Sequence, residues 1–102
     1  MKVVINRCYG GFSLSKEAWD LYAKSKGVET GEWSSWGYYE KLSSYDLERH
    51  DPILVEVVEE LGDKANGRCA ELDVIEIPDD VNYQIEEYDG NEWVAEVHRT
   101  WR

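Results

Sequence analysis

Residues 81–97, with the sequence VNYQIEEYDGNEWVAEV, decide the fold class that this chain predicts. Apolar and polar side chains alternate on both sides of Asp89-Gly90, and this period is typical of strands that turn one face toward a core. An Asp-Gly pair between two alternating runs indicates a type I′ turn, because both central residues of that turn need positive φ. The stretch therefore predicts a β-hairpin.

The segment after the turn has a second interpretation. Asp89 and Glu92 have the Asp-x-x-Glu spacing of a helix capping box, and the apolar residues within 94–101 recur at helical spacing. If the segment is a strand, Glu92, Glu96 and His98 project from one face, which we expect to be solvated. The sequence leaves strand and helix both open for residues 91–101.

The rest of the chain supplies two more strands and two helices. Adjacent β-branched residues predict strands over residues 2–8 and 70–77. A Ser N-cap predicts a helix over residues 15–27, and an Asp N-cap followed by Pro predicts a second helix over residues 51–62. We therefore predict a single α+β domain over residues 1–102, with an antiparallel sheet of about four strands and two amphipathic helices packed on one face.

Residues 28–50 are the least regular part of the chain. Two Trp and three Tyr are interleaved there with Gly and Ser. A loop with so many aromatic residues is not a solvated linker, so we expect it to pack on the core, to contact another subunit or to stack on a ligand.

The charge balance restricts the possible partners. The chain has 22 acidic and 11 basic residues, for a net charge of −11. Such a balance argues against sequence-independent nucleic-acid binding, which needs a basic surface. It also opposes capture of anionic ligands unless Arg side chains cluster in a shielded cleft.

The sequence also predicts a compartment. Cys8 and Cys69 fit neither a disulfide framework nor metal-ligand spacing. The apolar run at the start is too short for a signal peptide, and no stretch is long enough to span a bilayer. We expect a cytoplasmic protein with reduced thiols and no membrane association.

The sequence contains no nucleophile motif, Walker loop or zinc-protease signature, so we expect neither an enzyme nor a cofactor. The main candidates for ligand binding are therefore three Arg residues near the chain ends, Arg7, Arg99 and Arg102. Guanidinium groups bind phosphates in a bidentate manner and stack on aromatic or nucleobase planes. If the first and last strands are neighbours, the three guanidinium groups come together and form a site for a phosphorylated nucleotide. The alternative is that these Arg side chains pair with nearby carboxylates. The predicted site comprises Arg7, Tyr9, Phe12, His98, Arg99, Trp101 and Arg102.

A metal site is a further possibility. Glu92, Glu96 and His98 could supply ligands, but residues two or four apart on a strand are about 7 to 13 Å apart along it. We therefore predict no metal site.

Both ends of the chain resemble a known group of proteins. Residues 4–15 (VINRCYGGFSLS), 77–80 (IPDD), 87–96 (EYDGNEWVAE) and 98–101 (HRTW) resemble a family of small hypothetical proteins of phages and prophages. In size, acidity and strand-helix order the chain also resembles the Thoeris anti-defence proteins. That resemblance implies a homo-oligomer that holds cyclic ADP-ribose signals or cyclic oligonucleotides without degrading them, and it assigns no ligand residue to this chain.

Three functions follow as expectations. The first is a phage-type anti-defence protein, at least a homodimer in the cytoplasm of an infected bacterium, that sequesters a nucleotide-derived immune signal. The second is an acidic inhibitor that mimics nucleic acid and binds a basic host protein. The third is a metal-dependent hydrolase built on Glu92, Glu96 and His98.

Overall fold

A computed structural model describes residues 1–97 of the chain. The predicted α+β fold, with four antiparallel strands and two helices, is confirmed for this part of the chain. Its elements are β1 (Lys2–Asn6), α1 (Lys16–Lys26), α2 (Pro52–Leu61), β2 (Leu72–Glu76), β3 (Tyr83–Tyr88) and β4 (Asn91–Glu96).

Both helices begin at the residues that the sequence indicates. The Ser15 hydroxyl accepts a hydrogen bond from the backbone N–H of Ala18 at 3.1 Å, and α1 ends at Gly27 with a left-handed φ of 72°. The Asp51 carboxylate accepts from the N–H of Ile53 at 2.9 Å, and Pro52 fills the first helical position. Side-chain acceptors satisfy N–H groups that have no partner within the helix, so these caps fix where each helix starts.

The four strands form two antiparallel pairs and not one continuous sheet. β1 pairs with β2, with Val4 opposite Val74, and β3 pairs with β4, with Ile85 opposite Val94. Asp89 and Gly90 have φ values of 50° and 91°, as a type I′ turn requires. The helical alternative for the segment after this turn is therefore wrong for residues 91–96.

The core lies between the helices and the β1–β2 pair. α2 packs on both strands, and α1 packs on α2. Val3, Val4 and Ile5 are all buried, although consecutive residues of a strand point to opposite faces, so both faces of β1 are covered. No helix within residues 1–97 is long and apolar enough to cross a bilayer.

Candidate functional site

Three residues of the predicted ligand site lie in the described part of the chain. The Arg7 Nε is 3.0 Å from the Asp73 Oδ2, and both side chains are about half exposed. Tyr9 is 61% exposed. The Phe12 ring is covered by the Arg49 guanidinium, whose Cζ lies 3.7 Å from the ring centroid. Arg7 and Tyr9 are thus accessible to a ligand, whereas Phe12 is already stacked within the protein.

The other four residues of that site, His98, Arg99, Trp101 and Arg102, lie outside the described residues. Tyr9 is next to the hairpin turn, because the N–H of Gly10 donates to the carbonyl of Asp89 at 2.9 Å. β4 runs away from that turn, and six strand residues span about 20 Å. Val97 therefore lies at the end of the hairpin remote from Tyr9, and a site that joins the two chain ends stays a prediction.

The second edge of β1 is closed by side chains and a loop, not by a strand. Alternate residues of a paired strand turn their backbone groups away from the partner, and Val4 and Asn6 turn theirs away from β2. The N–H of Val4 donates to the carbonyl of Arg49 at 2.8 Å, and the N–H of Asn6 donates to the Glu92 Oε1 at 2.8 Å. Arg49 and Glu92 thus supply acceptors where a neighbouring strand would otherwise lie.

Arg49 and Glu92 also bind each other in a bidentate pair. The Arg49 Nη1 and Nη2 donate to the two carboxylate oxygens of Glu92 at 2.7 and 2.9 Å. The two side chains are only 18% and 9% exposed. We call the group of Asn6, Phe12, Arg49 and Glu92 the β1 joint, because it connects β1, the 28–50 loop and β4.

Asn6 completes the polar part of the β1 joint. Its side chain is fully buried, and its Nδ2 donates to the carbonyls of Cys8 and Gly90, both at 2.7 Å. Its Oδ1 accepts from the N–H of Glu71 at 2.8 Å and from the N–H of Cys8 at 3.2 Å. Within residues 1–97 no buried side-chain nitrogen or oxygen lacks a hydrogen-bond partner, so the β1 joint offers no free group to a substrate.

The expectation that Glu92 lies on a solvated face is wrong. Glu92 lies on the hairpin face that turns toward β1, where its carboxylate accepts a hydrogen bond from the N–H of Asn6. This contact provides the acceptor that a covered backbone N–H needs. Trp93 takes the opposite face, where it is 46% exposed and its Nε1 donates to the Glu86 carboxylate at 3.0 Å. No local sequence signal indicated this arrangement, because Arg49 is 43 residues from Glu92.

The same contact bears on the metal hypothesis. Both carboxylate oxygens of Glu92 are bound to Arg49, so Glu92 is not available as a metal ligand in this arrangement. Residues 1–97 contain no group of three or more His, Cys, Asp or Glu side chains placed to hold a metal ion.

A second contact joins the hairpin to the end of the loop. The His50 Nδ1 lies 2.6 Å from the Tyr83 hydroxyl, and the two rings meet edge to face. Burial raises the pKa of the Tyr83 hydroxyl, the charge of Arg49 opposes this rise, and the charge of Glu48 adds to it. This contact positions the hairpin beside the N-terminus of α2.

Residues 30–41 of the loop form an irregular hairpin, which we call the aromatic hairpin. Three backbone hydrogen bonds of 2.8 to 2.9 Å tie its two arms together, from Lys41 to Thr30, from Glu40 to Glu32 and from Ser34 to Tyr38. At its base the rings of Trp33 and Tyr39 pack edge to face, with 4.9 Å between their centroids.

Tyr39 fastens the aromatic hairpin to α1. It is only 6% exposed, and its hydroxyl donates to the Asp20 carboxylate. Burial tends to raise the pKa of Asp20, but hydrogen bonds from Tyr39 and Lys16 outweigh it, so the pKa lies below its usual range. The expected packing of the loop on the core therefore holds for the base of the aromatic hairpin.

The tip of the aromatic hairpin has the opposite character. Trp36, Tyr38 and Tyr45 are 79%, 51% and 98% exposed. Together with Trp19 and Glu40, these three residues line a cavity of about 440 Å³, to which Tyr45 contributes from the turn that follows the aromatic hairpin. Of the residues between 1 and 97, no Lys, Arg or His lines this cavity. The composition of residues 28–50 indicates an aromatic loop, but no local sequence pattern indicates that Ser34 and Tyr38 pair through their backbones and leave Trp36 exposed between them.

Carboxylates without basic partners cover much of the surface. All 22 acidic residues lie within residues 1–97, with only nine of the eleven basic residues. Six of those nine are already in ion pairs with Asp or Glu. An open groove of about 720 Å³ along α2 is lined in part by Glu56, Glu59 and Glu60. These are the residues that the sequence predicts on the solvent face of that helix.

Comparison with known proteins gave no match to a family model, to a curated protein or to a solved structure. The described part of the chain contains a fully bonded structural joint, an exposed aromatic cavity and an acidic surface.

Proposed function

We propose that this chain is a non-catalytic binding protein that captures a basic partner protein, as an acidic inhibitor that occupies a nucleic-acid-binding surface. The supporting observation is the excess of exposed carboxylates within residues 1–97, where most basic side chains are already paired. An unbalanced negative surface attracts a basic surface over a distance of about 10 Å at moderate salt. Such capture needs no catalytic group.

The solvent face of α2 provides one row of these charges. Glu56, Glu59 and Glu60 are at positions i, i+3 and i+4, where Cβ atoms are about 5–6 Å apart. Among the ion pairs of residues 1–97, only Glu59 of this row takes part, with its carboxylate 3.1 Å from the Lys2 Nζ. Because a helix holds its side chains in fixed order, this row presents a regular line of negative charge to a partner.

The test uses an immobilised bacterial nucleoid DNA-binding protein as the basic partner. We expect the chain to bind it at about 50 mM salt, to compete with duplex DNA, and to lose at least about tenfold in affinity at about 200 mM salt. The triple variant Glu56→Gln, Glu59→Gln, Glu60→Gln should bind more weakly than a variant with the same charge change at Glu71, Glu76 and Asp80. Absence of binding at low salt, or binding that salt does not weaken, would overturn the proposal.

Sequestration of a nucleotide-derived signal, in the cytoplasm of an infected bacterium, is the second candidate function. The observation in its favour is that Arg7 and Tyr9, on either side of Cys8 in the chain, are both exposed and that within residues 1–97 the ion pair of Arg7 is with Asp73 at the surface. Such pairs contribute about 0.2–1 kcal/mol, so a phosphate group can displace Asp73. The resemblance to Thoeris anti-defence proteins supports the same function, with a homo-oligomer as the active form.

Calorimetry with cyclic ADP-ribose and with a cyclic dinucleotide tests this second candidate. Arg7→Ala should abolish uptake, whereas Arg68→Ala, a change at another exposed Arg, should leave it unchanged. Recovery of intact ligand from the denatured complex would support sequestration, and recovery of a cleaved product would support the hydrolase. Native mass spectrometry of the same samples reports the number of subunits.

A further inference from the structure

We propose that the cavity at the tip of the aromatic hairpin is the docking pocket for an arginine side chain of the basic partner. This inference rests on the proposed function and names the part of the surface that gives it specificity. The residues that line the pocket include Trp36, Tyr38, Tyr45 and Glu40.

The exposed rings stand on a backbone that is already ordered. The N–H of Ser34 donates to the carbonyl of Tyr38 at 2.8 Å, and the N–H of Trp36 donates to the Ser34 hydroxyl at 3.1 Å. The N–H of Tyr45 donates to the Ser43 hydroxyl at 3.2 Å. A binding surface whose backbone is ordered before the partner arrives loses less conformational entropy on binding, so the backbone that carries these rings is pre-organised for a ligand.

The rings are exposed even though apolar burial is available close by. Trp33 and Tyr39, in the same hairpin, pack edge to face and contact the core. Trp36, only three residues from each of them, is 79% exposed. Large aromatic side chains contribute most of the binding energy at many protein interfaces, and a partner that covers Trp36 would gain a large apolar contact.

The charges around the cavity select a cation. Glu40 lines the cavity, and Glu32 and Asp46 belong to the same loop and have no basic partner in residues 1–97. Lys41 is turned to Glu29, with 2.8 Å between its Nζ and the carboxylate, and Arg49 is bound in the β1 joint. Among residues 1–97, the lining of the cavity offers no Lys or Arg side chain to a phosphate, whereas it offers aromatic residues and Glu40 to a guanidinium.

Arginine fits this chemistry better than lysine. Its planar guanidinium stacks on aromatic rings and binds a carboxylate in a bidentate manner, while the lysine ammonium is a compact and strongly hydrated charge. The cavity volume of about 440 Å³ is within the range of pockets that take small ligands.

The test measures binding of short peptides to the full chain by calorimetry and Trp fluorescence. The probes are an Arg-Gly repeat peptide and peptides of equal length with Lys or Glu in place of Arg. We expect the Arg peptide to bind more tightly than the Lys peptide, and the Glu peptide not to bind. Trp36→Ala and Glu40→Gln should each weaken Arg-peptide binding by about tenfold or more, and Trp36→Phe should restore part of it.

Tyr88→Ala is the matched control, because Tyr88 is 66% exposed on β3, away from the cavity. Its binding should stay within about twofold of the wild-type value. Equal binding by Trp36→Ala and Tyr88→Ala, or equal binding of the Arg and Lys peptides, would overturn the docking pocket and leave salt-dependent capture in place. Failure of the wild-type chain to bind both the basic protein and every basic peptide would overturn the proposed function itself.

Discussion

Arg49 of the β1 joint follows the aromatic hairpin closely in the chain, yet the side chains of the two regions have opposite environments. In the β1 joint two charged groups and an Asn are nearly covered, and each has hydrogen-bond partners within the protein. At the tip of the aromatic hairpin large rings stand in solvent on an ordered backbone. The difference teaches that the unusual polar residues hold this fold together, whereas the unusual apolar residues are available to another molecule.

The largest expected effect is at Glu92. Glu92→Ala leaves the Arg49 guanidinium buried without its carboxylate and the N–H of Asn6 without its acceptor. Removing one partner of a buried ion pair typically costs about 3–5 kcal/mol, and we expect a loss of that size in the free energy of unfolding, measured by urea denaturation. Glu86→Ala is the control, because Glu86 is exposed and pairs only with polar groups at the surface. Equal losses for the two variants would contradict a structural role for the β1 joint.

The hairpin turn beside the β1 joint and the tip of the aromatic hairpin each contain a glycine with nearly the same φ, so equivalent substitutions can be compared. Gly90 has φ of 91° and Gly37 has φ of 90°. A Cβ on Gly90 would lie 2.2 Å from the backbone nitrogen of Gly11, whereas a Cβ on Gly37 would meet nothing within 4 Å.

Both Ala variants should therefore lose about 1–2 kcal/mol through backbone strain, and Gly90→Ala should lose about 1–3 kcal/mol more through displacement of Gly11. Thermal unfolding of the two variants, followed by circular dichroism, checks the difference. If Gly37→Ala were the less stable variant, the hairpin turn would not be packed against the Gly10-Gly11 backbone as described.

A smaller effect concerns the N-terminus of α2 at low pH. Burial tends to raise the pKa of Asp51, but the hydrogen bonds from Lys26 and from the N–H of Ile53 outweigh it and lower the pKa. Because the pKa is lower in the folded state, the charge of Asp51 stabilises the protein above the unfolded-state pKa of about 4, and this contribution disappears as the pH falls through the folded-state value.

Asp51→Asn keeps a capping side chain but removes the charge, so we expect it to be less stable than the wild type by about 0.3–1 kcal/mol at neutral pH. The difference should shrink toward zero as the pH falls through the lowered folded-state pKa of Asp51, which urea denaturation at several acidic pH values would show. A difference that stays constant over this pH range would contradict the assigned role of the Asp51 charge.

The smallest expected effects are at the exposed rings of Trp36, in the aromatic hairpin, and Tyr45, in the turn after it. Trp36→Ala and Tyr45→Ala remove side chains that are 79% and 98% exposed, so the free energy of unfolding should change by no more than about 0.5 kcal/mol. Tyr39→Ala, in the same hairpin, removes a buried ring and should cost about 3–5 kcal/mol. Chemical denaturation of the three variants would separate anchoring rings from binding rings, and a large loss at Trp36 would mean that its ring serves the fold.

Local rules predicted much of the fold. The caps at Ser15 and Asp51 and the turn at Asp89-Gly90 depend on hydrogen bonds and backbone angles within a few residues, so the sequence alone indicates them. The split of the sheet was not predicted, because Arg49 and Glu92 occupy the edge of β1 and their pairing depends on tertiary structure.

The candidate site was predicted less well for the same reason. Arg7 and Tyr9 are exposed as a ligand site requires, but the stacking of Phe12 under Arg49 had no signal in the neighbouring sequence. The composition of the 28–50 loop did indicate an aromatic surface. It gave no indication of which rings pack inward, since that depends on the backbone pairing of Ser34 with Tyr38.

The position of Arg49 has a consequence for how this chain can change. The loop that starts after Gly27 is held at its far end by Arg49, through its backbone carbonyl on β1 and its side chain on Glu92. With both ends fixed to the core, the intervening tip can be replaced with little risk to the scaffold. Positions 34–38 are thus the part of the loop at which we expect sequence changes to disturb the fold least.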